Sequence, residues 1–114
     1  MGAFYDLKKV KDIAKEDHDF IKVIVSTFLE EMPKDAELLR ESYIKKDYEQ
    51  VYQFAHKIKP TVDLFGLGVL DEIIAIQDWG RDEKKEVSIE SQINTVLSRI
   101  NEAVTELKKN YKSS

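Results

Sequence analysis

The sequence predicts an all-α fold, an antiparallel four-helix bundle with one or two additional short helices. Three observations lead to this prediction. Apolar residues recur every three or four positions along most of the chain, which is the period of a helix with one buried face. The chain has only 4 glycines and 2 prolines in 114 residues, a composition that favours helices over a turn-rich β fold. Short breaks separate the helical stretches, and short connections place neighbouring helices antiparallel.

The composition indicates a single folded domain that spans residues 1–114. Hydrophobic residues make up 42% of the chain and charged residues 35%, which is typical of a folded, water-soluble domain and not of a disordered one. The net charge is −4. Lys and Arg are nowhere concentrated into the basic face that nucleic-acid binders use, so we expect no nucleic-acid partner.

Two further classes are disfavoured by what the sequence lacks. The chain has no cysteine, which excludes disulfides, thiolate metal sites and cysteine nucleophiles. No apolar run reaches the length needed to span a membrane, and the segment Met1–Asp6 lacks the basic and apolar regions of a signal peptide. We therefore expect a cytoplasmic protein without a membrane partner. We also expect a monomer.

The first part of the chain predicts three helices. The first runs from Asp6 to about Ala14, with an apolar side formed by Leu7, Val10 and Ile13. Asp17 is a suitable N-cap for a second helix, which reaches Met32 on an apolar stripe of Ile21, Ile24, Val25 and Phe28. Pro33 fits the first turn of a third helix, where its missing N–H costs nothing; the apolar residues there are Ala36, Leu39 and Tyr43.

The second part predicts three more helices. Asp47 caps a fourth helix from about Tyr48 to Phe65, and the glycines that follow mark its end. A fifth helix spans about Leu67 to Trp79 and ends at a break formed by Gly80-Arg81-Asp82; its inward residues are Leu67, Leu70, Ile73 and Ile74. Ser88 is a candidate cap for the last helix, which has the longest apolar stripe: Ile89, Ile93, Val96, Leu97, Ile100, Val104, Leu107 and Tyr111.

The fourth helix carries a histidine on its polar side. With about 100° of rotation per residue, its apolar residues lie within roughly 60° of Val51; they are Phe54, Ala55, Ile58, Val62 and Phe65. By the same rotation His56 lies about 140° from Val51, so we expect it to face solvent. The other histidine, His18, has no such context and is expected to be a solvated first-turn residue.

An exposed imidazole suits the transfer of a phosphoryl group between proteins. A neutral imidazole is a good nucleophile, and an unperturbed histidine has a pKa of about 6.5, so most of it is neutral at pH 7. Lys59 lies three residues on, one turn along the helix. Its ammonium is expected to neutralise the oxygens of a phosphoryl group held by His56.

Pro60 follows Lys59 and removes the backbone hydrogen bond to the carbonyl of His56. The apolar stripe continues in register beyond it through Val62 and Phe65. We therefore expect a kinked helix that continues through the proline.

These residues resemble the signature of histidine-containing phosphotransfer (HPt) domains of two-component phosphorelays. That signature reads Ala-His-x-Leu-Lys-Gly-Ser, with another glycine ten residues after the histidine. Ala55, His56, Lys59 and Gly66 match it in type and spacing, with Ile58 and Thr61 as conservative replacements. The resemblance extends over roughly residues 6–79, because the segment 20–33 is also similar to the preceding helix of the family. Pro60 departs from it, since the family usually has glycine there.

The resemblance implies a fold and a role. The fold is a four-helix bundle with the phosphorylated histidine exposed midway along one helix. The role is to accept a phosphoryl group from a receiver-domain aspartate or a hybrid histidine kinase and to pass it to a response regulator. The chain would bind no cofactor itself, and Mg²⁺ would belong to the partner receiver domain. Because no Gly-rich, phosphate-cradling loop is present, we expect a phosphocarrier and not a kinase.

The remaining candidates concern the partner surface and two alternative functions. The candidate surface residues around the histidine are Tyr52, Gln53, Lys57, Pro60, Asp63 and Leu64. Three of them, Tyr52, Gln53 and Leu64, have an alternative role in packing against the short N-terminal helix. A helical adaptor without phosphotransfer is the alternative function. A metal-binding bundle is disfavoured, because such bundles use Glu-x-x-His pairs and neither histidine has a glutamate three residues before it.

Overall fold

The computed structural model describes residues 4–111, and within this range the protein has five α-helices and no strand. The helices are α1 (Lys8–Ala14), α2 (His18–Ile44), α3 (Tyr48–Leu64), α4 (Leu70–Arg81) and α5 (Glu90–Asn110). Helix α2 packs on α3, α3 on α4 and α4 on α5, and α5 closes the ring by packing on α2. The short helix α1 packs on α2. The predicted all-α bundle with an additional short helix is therefore confirmed.

Apolar stripes from every helix meet in one core. The α5 stripe is the longest, as the sequence predicts, and its innermost side chains are less than a tenth exposed: Ile93, Val96, Ile100, Ala103, Val104 and Leu107. Trp79 is also buried and donates a hydrogen bond from Nε1 to the carbonyl of Val87 at 2.8 Å, so it anchors the end of α4 in the core. Within residues 4–111, no helix is both long enough and apolar enough to cross a lipid bilayer.

The expected helix boundary at Pro33 is wrong, because α2 is one continuous helix of 27 residues with Pro33 inside it. The buried stripe of α2 does not change register at the proline: Phe28 and Met32 precede it, and Ala36 and Leu39 follow. An internal proline loses one backbone hydrogen bond. Burial of a stripe that runs the length of the bundle outweighs that loss, since each fully buried aliphatic side chain contributes about 1.5–3 kcal/mol.

The inward faces of α1 and α4 differ from the prediction at two isoleucines. Ile13 is 57% exposed and Ile74 38% exposed. In α1 the buried side is formed by Leu7, Val10 and Ala14, which repeat at three and four residues, whereas Ile13 lies roughly 90° from the centre of that side by helical rotation. Its spacing of three residues from Val10 alone predicts the buried side, and that prediction is wrong.

Two helix starts lie later than predicted. Helix α4 begins at Leu70 and not at Leu67, because Gly66 and Gly68 have φ angles of +58° and +74° and hold the connection in left-handed backbone. Leu67 is fully buried within that connection. Helix α5 begins at Glu90. Ser88 lies outside the N-cap position, although its Oγ accepts a hydrogen bond from the Glu90 N–H at 3.4 Å.

Gly80 does not break α4, which continues through it to Arg81. The glycine lies against the backbone of α3: a Cβ at this position would be 2.6 Å from the Tyr48 carbonyl oxygen and 2.7 Å from the Tyr52 nitrogen. The missing side chain therefore allows two helices to pack closely, one turn before His56.

Candidate functional site

Helix α3 begins and ends as the sequence predicts, to within a residue. The Asp47 carboxylate caps it by accepting a hydrogen bond from the Gln50 N–H at 3.1 Å. Its inward residues are almost fully buried: Val51, Ala55, Ile58 and Val62. Phe54, expected in the same stripe, is only partly buried. The opposite side of α3 therefore faces away from the core.

His56 lies on that outward side and is exposed. Its ring is stacked on the ring of Tyr52, one turn earlier, with centroids 5.8 Å apart and an angle of 15° between the planes. Tyr52 is half-buried, and its backbone is the part of α3 that contacts Gly80 of α4. Tyr52 thus borders the imidazole on the α4 side.

Lys59 follows His56 by three residues and is half-buried. Among residues 4–111, neither His56 nor Lys59 forms an ion pair. Side chains on a helix lean toward its N-terminus, so the Lys59 stem is directed toward the turn that carries His56. No carboxylate within residues 4–111 therefore holds the Lys59 ammonium in the structure.

Helix α3 continues through Pro60 to Leu64, so the predicted continuation of the helix is confirmed. The proline ring is exposed. Because the helix does not end there, Lys59 and Asp63 keep their helical positions relative to His56. The angle of any kink stays a prediction.

Lys57 is the neighbour of His56 in sequence but belongs to the α2 side of the helix. Its ammonium lies 3.0 Å from the Asp35 carboxylate, whose side chain is only 10% exposed. Asp35 was not among the predicted site residues. A signal for it exists in the sequence, because Asp35 falls on the apolar stripe of α2 between Met32 and Ala36, and a carboxylate buried there requires a partner. The pair joins α2 to α3 beside the histidine.

The N-terminal segment reaches the other end of the same helix face. The Lys9 ammonium contacts both carboxylate oxygens of Asp63, at 3.1 and 3.0 Å. The Asp6 N–H donates a hydrogen bond to the Phe65 carbonyl at 2.8 Å. Gly66 permits this crossing, because a Cβ there would be 2.7 Å from the Asp6 Cβ. The sequence does not identify Lys9, since nothing local links positions so far apart in the chain.

An apolar surface adjoins the histidine side of α3. A groove of about 270 Å³ runs between α2 and α3, and its lining includes Val23, Thr61 and Leu64. Val23 is 59% exposed and Leu64 half-buried. On the other side of Leu64, a second depression is lined by Ile13 and Pro60. Gln53, the remaining candidate, is exposed.

The α4 side of the site carries a compact charged cluster. The Arg81 guanidinium contacts Asp82 at 3.0 Å and Asp78 at 3.3 Å. The hydrogen bond from Arg81 lowers the pKa of Asp82, and the same bond raises the pKa of Arg81. Two carboxylates therefore already hold the Arg81 guanidinium. The Lys59 ammonium, in contrast, lies on the same helix face as His56 and has no ion pair among residues 4–111.

His18 is exposed at the first position of α2, as expected. No group of three or more His, Asp and Glu side chains within residues 4–111 is arranged to hold a metal ion. Comparisons of this chain with protein-family models, with curated proteins and with solved structures find no match.

Proposed function

We propose that this protein is a histidine phosphotransfer protein. It carries a phosphoryl group on His56 between receiver-domain aspartates, or from a sensor kinase to a response regulator, in a two-component phosphorelay. One observation supports this most strongly: His56 is exposed on the outer face of an unbroken helix, and Lys59 lies one turn away without an ion pair among residues 4–111. The resemblance of the surrounding residues to the HPt signature indicates that the group transferred is a phosphoryl group.

The transfer step requires little of this chain beyond an accessible lone pair. One imidazole nitrogen of His56 attacks the phosphorus of an aspartyl phosphate on the receiver. The N–P bond forms as the P–O bond breaks, and the aspartate leaves as a carboxylate with the electron pair. The other ring nitrogen keeps its proton, so no general base is needed. Transfer to a second receiver reverses these steps.

The charges present around His56 suit this chemistry. The phosphoryl oxygens carry the developing charge of the transition state, and a nearby cation stabilises it. Lys59 supplies that cation from this chain, while Mg²⁺ on the receiver supplies the other. Lys57 does not compete for the role, because Asp35 holds its ammonium on the α2 side.

The surroundings of His56 also suit a protein partner. Exposed apolar side chains from α1 and α2, Ile13 and Val23, are 57% and 59% exposed. Both line depressions that Leu64 of α3 also lines. Interfaces bury apolar centres within a polar rim, and a receiver domain that covers this surface brings its aspartate close to His56. Pro60 lies on the same surface, and its compact ring takes the place of the glycine usual in the family.

Phosphorylation by a labelled receiver tests the proposal. Several purified receiver domains are phosphorylated with radioactive acetyl phosphate in the presence of Mg²⁺ and then incubated with the chain. We expect label on the wild type that is stable to alkali and lost in acid, as a phosphoramidate bond is. We expect none on His56→Gln. The matched control is His18→Gln, which removes the other histidine and should accept label at the wild-type rate.

The alternative outcomes separate the two candidate functions. Absence of label from every active receiver, with a receiver still bound, would favour an adaptor of the same fold. Label that persists on His56→Gln would show that another residue accepts the phosphoryl group. The proposal also places the protein in the cytoplasm, where receiver domains and kinase catalytic domains act, and assigns it no kinase activity of its own.

A further inference from the structure

We infer that Lys9 is a positioning residue for this transfer: by holding Asp63 it keeps Lys59 available to the phosphoryl group on His56. This inference rests on the proposed function. It concerns three charged side chains on two helices, of which the sequence identified only Lys59 and Asp63. Lys9 acts through its partners and touches neither His56 nor the phosphoryl group.

Lys59 lies on one face of α3 between His56, which would carry the anionic phosphoryl group, and the carboxylate of Asp63. With about 100° per residue, His56, Lys59 and Asp63 fall within roughly 60° of one another. His56 is three residues before Lys59, and Asp63 is four residues after it. Both are spacings at which helical side chains meet. A carboxylate at position 63 is therefore a direct competitor for the ammonium that the phosphoryl group requires.

In the structure that competitor is already engaged. Both oxygens of the Asp63 carboxylate contact the Lys9 ammonium, at 3.1 and 3.0 Å. Among residues 4–111, Lys59 makes no ion pair, although Asp63 is at the favourable spacing. Lys9 thus holds the carboxylate that lies at ion-pair spacing from Lys59.

The fold holds Lys9 in place through the chain that precedes it. The Asp6 N–H is bound to the Phe65 carbonyl at 2.8 Å, directly over Gly66. The Asp6 carboxylate accepts a hydrogen bond from the Lys8 N–H at 2.9 Å, at the start of α1. The start of α1 is therefore fixed to the end of α3, and Lys9 is held within reach of Asp63.

The expected effect of removing Lys9 is small and has a defined pattern. An i, i+4 ion pair in water shifts the position of a side chain by a factor of about two at low ionic strength. We therefore expect Lys9→Ala to accept label from a phosphorylated receiver about twofold more slowly. In an Asp63→Asn background, Lys9→Ala should cause no further loss relative to Asp63→Asn alone, because the competitor is gone. Lys9→Arg should also keep that rate, since it can still bind Asp63.

A double-mutant cycle with Lys59 separates this role from a general charge effect. In a Lys59→Ala background, Lys9→Ala should cause no further loss, because there is no ammonium left to divert. The matched control is Lys11→Ala, which removes a positive charge from the same helix without breaking an ion pair within residues 4–111. It should transfer at the wild-type rate. The Lys9 effect should also disappear at about 1 M salt, where exposed charges are screened.

The outcomes distinguish a failure of the Lys9 inference from a failure of the proposed function. Equal rates for Lys9→Ala and the wild type would overturn the inference and leave the proposed function intact. So would a loss that persists in the Lys59→Ala background, since Lys9 would then act by another route. If the wild type accepts no label from any receiver, the proposed function fails first and the inference with it.

Discussion

Replacing Gly80 with alanine places a methyl group where the backbones of α3 and α4 are in contact. The new Cβ would be 2.6 Å from the Tyr48 carbonyl oxygen, 2.7 Å from the Tyr52 nitrogen and 3.1 Å from the Tyr52 Cα. All three neighbours are backbone atoms, so none can rotate away as a side chain would. The two helices must move apart by several tenths of an ångström, or the methyl group cannot be accommodated.

Two opposing effects set the change in the free energy of unfolding that Gly80→Ala causes. Alanine in a helix interior is more stable than glycine by about 1 kcal/mol. Overpacking a well-packed site costs about 1–3 kcal/mol, and the upper part of that range applies here because the contact is with backbone. The net result is a loss of about 1–2 kcal/mol in the free energy of unfolding, and for a chain of this length a melting temperature lower by roughly 4–8 °C.

Urea denaturation followed by circular dichroism measures this difference directly. The control is Asn94→Ala on the exposed face of α5, which introduces the same residue into a helix without a close neighbour. That variant should be slightly more stable than the wild type, since alanine is the better helix former. A Gly80→Ala variant as stable as the wild type would show that α3 and α4 do not approach as closely as described.

Three further changes have definite expected results. Lys59→Ala should slow phosphotransfer about tenfold, less than the loss at a buried site, with an unchanged circular dichroism spectrum; an unchanged rate would remove Lys59 from the mechanism. Pro33→Ala should raise the free energy of unfolding in urea by about 1–3 kcal/mol, because it restores a backbone hydrogen bond in a continuous helix; no gain would indicate that α2 breaks there. Arg81→Gln should raise the pKa of Asp82 toward its ordinary value, as measured by NMR titration of the carboxyl carbon. Since the pKa of Asp82 is lowered in the folded protein, its contribution to stability is present above the ordinary carboxyl pKa and is lost as the pH falls through the lowered value.

The candidate site is largely predictable from the sequence because it lies on one helix. The inward stripe of α3 and the outward position of His56 follow from helical rotation alone. The spacing of Lys59 and the continuation of the helix past Pro60 follow from the same register. The cap at Asp47 is equally local, because a capping carboxylate binds the N–H of a residue three positions on.

The two prolines show where local reasoning fails. The stripe that continues beyond Pro60 correctly predicts a continuous helix. The helix start predicted at Pro33 is wrong, because the α2 stripe also continues beyond that proline. Local preference favours proline in a first turn. Whether a proline begins a helix or lies inside one depends on how much apolar surface both halves bury against the rest of the bundle.

The sequence by itself determined the fold class, the buried stripes of α3 and α5 and the exposure of His56, because these depend on the period of the helix. Only the tertiary structure decided that Gly80 is a contact and not a break, that Asp35 binds Lys57 and that Lys9 binds Asp63. These features join residues far apart in the chain. Their positions depend on how the helices pack against one another, and no local periodicity encodes that packing.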